Sequence, residues 1–231
     1  MRPRIGGRPH DGSAHMKRIG IVVAFAAALA LAFPAEAQVA LDLKLGYALP
    51  TGDVITFGGS DFYGPMKNTW SGAIPIEVAG RYRFSPSFSA GVYFQYDPAL
   101  IASRLCANGM TCSGYDIRVG VEAVYGFFPD GFLNPWVSLG TGWEWANFSI
   151  ATATDSAAFT YSGWEYFNVQ AGLDFNLSRM FAVGPYVGYF GGTFTSMSST
   201  QAGASASASI PSEFRAFHGW IQFGAKGTVN L

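Results

Sequence analysis

From residue 39 to residue 49 the chain reads VALDLKLGYAL, and every second position is alike. Val39, Leu41, Leu43, Leu45, Tyr47 and Leu49 form one set; Ala40, Asp42, Lys44, Gly46 and Ala48 form the other. A period of two is the signature of a β-strand with unlike faces. The same alternation returns over 70–84, 88–96, 115–127, 135–145, 165–177, 181–194 and 217–231. The pattern predicts eight strands.

The links between them alternate in length. Short turns fall at 85–87, 129–134 and 178–179; long links fall at 50–68, 97–114, 146–162 and 195–212. Strict short–long alternation predicts an up-and-down antiparallel arrangement, with turns at one end and long loops at the other. The last of these loops, TSMSSTQAGASASAS over 195–209, is of low complexity and reads as a mobile surface segment.

Two orientations suit such strands. A soluble barrel of the lipocalin kind turns the apolar face inward; a membrane barrel turns it out toward lipid. Composition separates them. Only 13% of residues are charged and 16% are aromatic, with 29 glycines, whereas an ordinary soluble domain carries about 25% charge. The polar faces hold mostly Gly, Ala and Ser, plus Asp42, Lys44, Glu77, Arg81, Arg83, Asp116, Arg118, Glu122, Glu144, Asp174 and Lys226. Small residues with six acids and five bases suit a closed interior, because a buried charge needs an opposite partner. The expected ionic network of that interior is Asp42, Lys44, Glu77, Arg81, Arg118, Glu122, Glu144, Asp174 and Lys226.

The apolar faces are graded along their length. Trp70, Tyr96, Tyr115 and Trp145 stand near the long links, and Tyr82, Phe84, Phe88, Phe127, Phe175 and Phe181 near the short turns. Aromatic belts flanking aliphatic middles match the girdles of a membrane-spanning sheet. The fold expectation is therefore all-β, an eight-stranded antiparallel up-and-down transmembrane β-barrel.

The N-terminal segment modifies the domain picture. Met16-Lys17-Arg18, an apolar run to Phe33 and Ala35-Glu36-Ala37 have the order of a secretory signal peptide over 16–37. Residues 1–15 read as a start-site extension, leaving a barrel over 38–231. Beyond the leader nine bases face thirteen acids, a balance that does not suggest a nucleic-acid partner. The two cysteines, Cys106 and Cys112 in RLCANGMTC, are expected to form a local disulfide in an oxidising compartment.

Leader, alternating strands and loop asymmetry together resemble the small outer-membrane β-barrels of Gram-negative bacteria, of the OmpA transmembrane-domain, OmpX and OmpW kinds. The resemblance covers 38–231 and rests on pattern rather than on a motif. It departs at the end of the chain, where Leu231 stands in place of the usual terminal aromatic residue. It implies export to the outer membrane, contact with its lipid and lipopolysaccharide, insertion by the barrel-assembly machinery, and an extracellular ligand or surface partner. A barrel of eight strands is filled by its own side chains. The functional expectation is a structural or surface-interaction protein; the alternative is a narrow channel for small hydrophobic molecules, as in the OmpW-like group, with Tyr186, Phe190 and Phe194 lining an upper apolar pocket.

Candidate chemistry is sparse. His218 is the single histidine after the leader, falls on the polar face and has no serine two positions on. A lumen histidine is expected rather than a catalytic one. Asn147-Phe148-Ser149 and Asn176-Leu177-Ser178 have the form of glycosylation acceptors but carry little meaning here. No catalytic residue, metal ligand or cofactor is expected.

Overall fold

The computed structural model describes residues 39–56, 64–106, 109–152, 154–201 and 204–231. The expected leader and the extension before it lie outside the described residues. The strands are β1 (Val39–Gly52), β2 (Trp70–Ala73), β3 (Ile76–Arg83), β4 (Phe88–Ile101), β5 (Thr111–Gly126), β6 (Leu133–Ala151), β7 (Ser156–Asn176), β8 (Phe181–Gln201), β9 (Ala204–Ser209) and β10 (Phe217–Asn230).

Nine of these ten strands make eight staves. β2 and β3 together form one stave between β1 and β4, interrupted at Ile74 and Pro75. Pro75 has no N–H to give to a ladder. The break is bridged by Gly46 N donating to Pro75 O and Ile74 N donating to Pro98 O. Every adjacent pair is antiparallel, and β10 pairs with both β1 and β8, which closes the ring. The remaining strand, β9, pairs only with β8 among the described residues and stands outside the ring.

The register fixes which face is buried. Val92 and Leu139 are both 61% exposed on the outer surface, whereas Asp42 is 3% and Arg118 0% exposed within. The apolar set points out and the charged set points in, the reverse of a soluble sheet. A one-residue slip would exchange the two sets, so ladders as long as the β5–β6 pairing from Thr111–Ala151 to Gly126–Trp136 hold the orientation firmly.

The strands run further than their alternation predicts. β6 and β7 stay paired out to Ala151 and Ser156, and β8 and β9 are paired from Ser196–Ser209 to Gln201–Ala204. Much of the links expected over 146–162 and 195–212 is therefore sheet. Within the low-complexity segment, 196–201 and 204–209 are paired strands. Its Ser, Thr and Ala residues give little hydrophobic contrast to read, but the barrel edge supplies a template. Hydroxyl pairs such as Ser162–Ser196 at 2.7 Å and Thr200–Ser205 at 3.0 Å join the strands.

Trp70 departs from its expected place in the outer girdle. The ladder shifts between Trp70 and Gly72, a β-bulge, and Trp70 turns inward to 1% exposure. An extra residue in one strand reverses the faces beyond it, so alternation counted back from Ile76 assigns Trp70 to the wrong side. Tyr96 and Trp145 are outward, and Tyr115 is half-buried with its ring 6.0 Å from that of Tyr96. The disulfide joins Cys106 to Cys112 across the link between β4 and β5.

Candidate functional site

Among the described residues, charge, aromatic rings and a cavity meet in the interior of the barrel. It is built in levels. At the short-turn end Arg81, on β3, grips Asp42 on the neighbouring β1 with two parallel bonds, Nε to Oδ2 at 2.6 Å and Nη2 to Oδ1 at 2.8 Å. Its remaining nitrogen, Nη1, donates to Ser89 Oγ at 2.6 Å. A fork of this kind fixes both partners in angle as well as distance. Beside this pair Lys226, on β10, donates to Asp174 on β7 at 2.8 Å, and its Nζ lies 3.8 Å from the centre of the Trp136 ring. The indole N–H of Trp136 donates to the same carboxylate at 2.9 Å.

One level further, Lys44 and Glu77 stand directly opposite in the β1–β3 ladder. The Nζ of Lys44 donates to Glu77 at 2.7 Å and to Gln170 at 2.8 Å, and lies 3.5 Å from Glu122. This side chain thus crosses the lumen and fills its centre.

The third level surrounds Arg118. Asp97 lies 3.5 Å, Glu144 3.1 Å and Glu165 3.4 Å from its guanidinium, and Asp116 is in direct ion-pair contact. Glu144 also faces His218 Nε2 at 2.7 Å and accepts from Trp220 Nε1 at 3.0 Å. Glu165 accepts from Tyr93 at 2.6 Å and from Asn168 at 2.7 Å. Tyr93 reaches across because Gly120 and Gly142 leave room for it: a Cβ on either would lie within 2.6 Å of its hydroxyl. All of these charged groups are buried.

Beyond this level the lumen turns apolar. Trp70, Phe148, Tyr161, Phe190, Phe194 and Trp220 pack together with Met66, Val54, Ile55 and Ile210. Trp70 meets Phe148, Tyr161 and Trp220 edge-on at 5.9, 6.4 and 6.5 Å, and Phe194 stacks on His218 at 3.9 Å. These rings plug the barrel on the side of the long links. Phe190 and Phe194 therefore fill the space that the sequence suggested they would line as a pocket. Tyr186 sits at the other end, against Val124 and Trp136.

The nine charged residues expected inside are all buried there. Sequence reasoning left out Asp97 and Glu165, and placed Arg83 deeper than it lies. The near-balance of acids and bases accordingly fails. Inside stand Asp42, Glu77, Asp97, Asp116, Glu122, Glu144, Glu165 and Asp174, against Lys44, Arg81, Arg118, Lys226 and His218. The surplus of carboxylates gathers around Arg118. Glu165 was hidden by a bulge between Glu165 and Phe167 that reverses β7. A signal for it existed: a glutamate between Trp164 and Tyr166 would be costly on an outward apolar face. Asp97 simply continues the inward series of Tyr93 and Gln95, one residue past the predicted end of its strand.

Two openings flank these levels. A cavity of about 810 Å³ enters from the short-turn end and stops at the Arg81 and Lys226 level. A smaller hollow of about 330 Å³, lined by Ile55, Met197, Ala208, Ser209, Ile210, Pro211 and Phe214, lies outside the aromatic plug. Among the described residues, no group of three or more His, Cys, Asp or Glu is placed to hold a metal ion.

No protein-family model and no curated protein matches the chain. Solved structures do. A major outer membrane protein from Thermus thermophilus is similar at TM-score 0.52 and 7% identity, over 82% of this chain and 99% of that one. OprG from Pseudomonas aeruginosa is similar at TM-score 0.48 and 11% identity, over 85% and 98%. Neisserial surface protein A gives TM-score 0.45 and 11% identity, over 84% and 97%. The fold is that of the outer-membrane β-barrels.

Proposed function

We propose that this chain is a sealed barrel of the outer membrane with no catalytic role, whose working surface is the sheet and loops at its long-link end. The observation that carries this reading is the filled lumen. Lys44 and Arg118 bridge the interior with bonds on several sides, and six aromatic rings close it above them. A solute would have to break buried ion pairs and part packed rings to pass. The outward band of Leu, Val and Phe fits acyl chains, and burying it there removes apolar area from water at about 25 cal/mol per Å². The same band suits contact with lipid and lipopolysaccharide, reached through the barrel-assembly machinery. The arm built by β8 and β9 extends the sheet beyond the ring and offers a surface to an extracellular partner.

Planar-bilayer recording tests the seal: purified protein is expected to give no discrete conductance steps above the lipid background. Regular steps from folded protein would overturn it. A second reading, a passage for small hydrophobic molecules, draws support from the hollow formed by Ile55, Met197, Ile210 and Phe214. Its nearly bare apolar lining would accept an apolar solute at the crown, but the plug lies directly beneath. Uptake of a hydrophobic probe into vesicles carrying the barrel, above that of empty vesicles, would favour passage.

A further inference from the structure

We propose that the vestibule at the short-turn end is a blind binding pocket for a small oxyanion, a phosphate or carboxylate group presented from the side facing the turns. The cavity of about 810 Å³ is lined by four cationic side chains, Arg81, Arg83, Arg179 and Lys226, against two acidic ones, Asp130 and Asp174. Of the deep pair, Lys226 is the less fully engaged. Among the described residues Lys226 makes one hydrogen bond, to Asp174, and otherwise rests on the Trp136 ring, whereas an ammonium carries three donors. Arg81 uses all three of its nitrogens on Asp42 and Ser89 and contributes positive charge to the cavity wall.

At the rim, Asn230 touches the guanidinium of Arg83 and the backbone of Arg179. Its Oδ1 accepts from Arg83 Nη2, and its Nδ2 donates to the carbonyl of Arg179 at 3.3 Å. Arg179 is exposed and takes part in none of the ion pairs among the described residues. Planar guanidiniums match the geometry of oxyanions.

The axial order of charge makes this a pocket and not an entrance. Just above lie Glu77 and Glu122 around Lys44, then the carboxylates around Arg118. An anion drawn in by the mouth meets rising negative potential and a filled lumen, and stops at the level of Arg81 and Lys226. A cation meets four positive side chains first.

The test is a phosphate titration of the folded barrel in maltoside micelles, which contain no phosphate, at ionic strength held constant with sodium chloride. The thermal midpoint is expected to rise with inorganic phosphate and to saturate. In the Arg83→Gln/Arg179→Gln double variant the half-saturating concentration should increase at least ten-fold. Arg179→Gln alone should weaken binding and carries the comparison should the double variant not fold. Lys67→Gln, at the opposite end, should leave the titration unchanged. A second arm replaces inorganic phosphate with a few per cent phosphatidylglycerol in the micelles. A response to free phosphate alone points to a dissolved ligand, and a response to the lipid alone to a headgroup; either supports the site. A midpoint indifferent to both, a rise that never saturates, or one that survives the arginine substitutions would overturn it.

Discussion

Arg118 and Glu144 face each other directly across the β5–β6 ladder, with Nη2 3.1 Å from Oε1. The same guanidinium holds Asp97, Asp116 and Glu165. Among the described residues no other lysine or arginine forms an ion pair with these carboxylates, and Arg118 is completely buried. Removing one partner of a buried ion pair costs about 3–5 kcal/mol because the other is left uncompensated. Arg118→Met is therefore expected to lower the unfolding free energy in micelles by at least about that amount. Arg118→Lys should recover part of the loss, since a point charge cannot contact all sides at once. Urea titration of refolded protein measures both, and an unchanged Arg118→Met midpoint would remove the central role given to this residue.

The carboxylates around Arg118 are not equivalent. Glu144 has three donors on it, from Arg118, His218 and Trp220. Glu165 faces the guanidinium at 3.4 Å, and its bonds from Tyr93 and Asn168 go to a single oxygen that a glutamine would keep. With more carboxylates than cations at this level, removing one negative charge relieves repulsion. Glu165→Gln should thus be neutral or stabilising, within about 1 kcal/mol. Glu144→Gln should cost about 1.5–3 kcal/mol, the scale of a charged hydrogen bond. Equal destabilisation by the two would contradict the surplus of negative charge. Both variants are compared by the same urea midpoint at neutral pH.

The contrast between Glu144 and Glu165 also marks how far the sequence can be read. Glu144 lies on an unbroken alternating run, so its inward direction and its level follow from counting. Glu165 sits beside a bulge, and counting across a bulge gives the wrong face. Trp70 fails for the same reason on β2. The eight staves, their order and their inverted faces are legible because each rests on ten or so residues of periodic contrast. Which charges meet is less so. Lys44 and Glu77 are opposite neighbours in the ladder, but Lys226 and Asp174 are joined over the intervening β8 from strands that do not pair. Contacts of that kind depend on stagger around the whole ring, which no local pattern records. The β8–β9 arm was missed because Ser, Thr and Ala offer no two-faced contrast.

Inverted faces imply two classes of tryptophan. Trp143, Trp145 and Trp164 form a contiguous group on the outer surface, with rings 5.0–6.3 Å apart. Trp70, Trp136 and Trp220 are buried in the lumen. In bilayers containing acyl chains brominated along their length, quenching is expected to fall mainly on the outer group. Replacing those three with Phe should abolish most of the quenching, while Trp70→Phe should leave it nearly unchanged. A Trp70 variant that loses as much quenching as the outer triple variant would place this residue back in the girdle. Inside, Trp70→Ala should in addition cost about 3–5 kcal/mol, as large aromatic deletions from packed cores do, and Trp145→Ala less.

The arm beyond the ring makes a different demand on stability. All six residues of β9 are exposed, and it rests on backbone pairing with β8 and the hydroxyl contact between Thr200 and Ser205. The ring closes through β10 and β8 without it. Shortening the arm by deleting 199–206 removes the distal pairs but spares Met197 and Ile210, which pack against the aromatic plug. The shortened protein is expected to fold normally and to keep the difference in gel mobility between boiled and unboiled samples. Its thermal midpoint should lie within a few degrees of the full chain's. If the arm is the surface that meets an extracellular partner, binding of intact cells to that partner should fall while the barrel itself persists. Ile210→Ala provides the contrast, since it trims the plug and should cost about 2–5 kcal/mol. A shortened arm that prevented folding would mean the hairpin guides closure of the ring, and the division between barrel and crown drawn from the pairing would not hold.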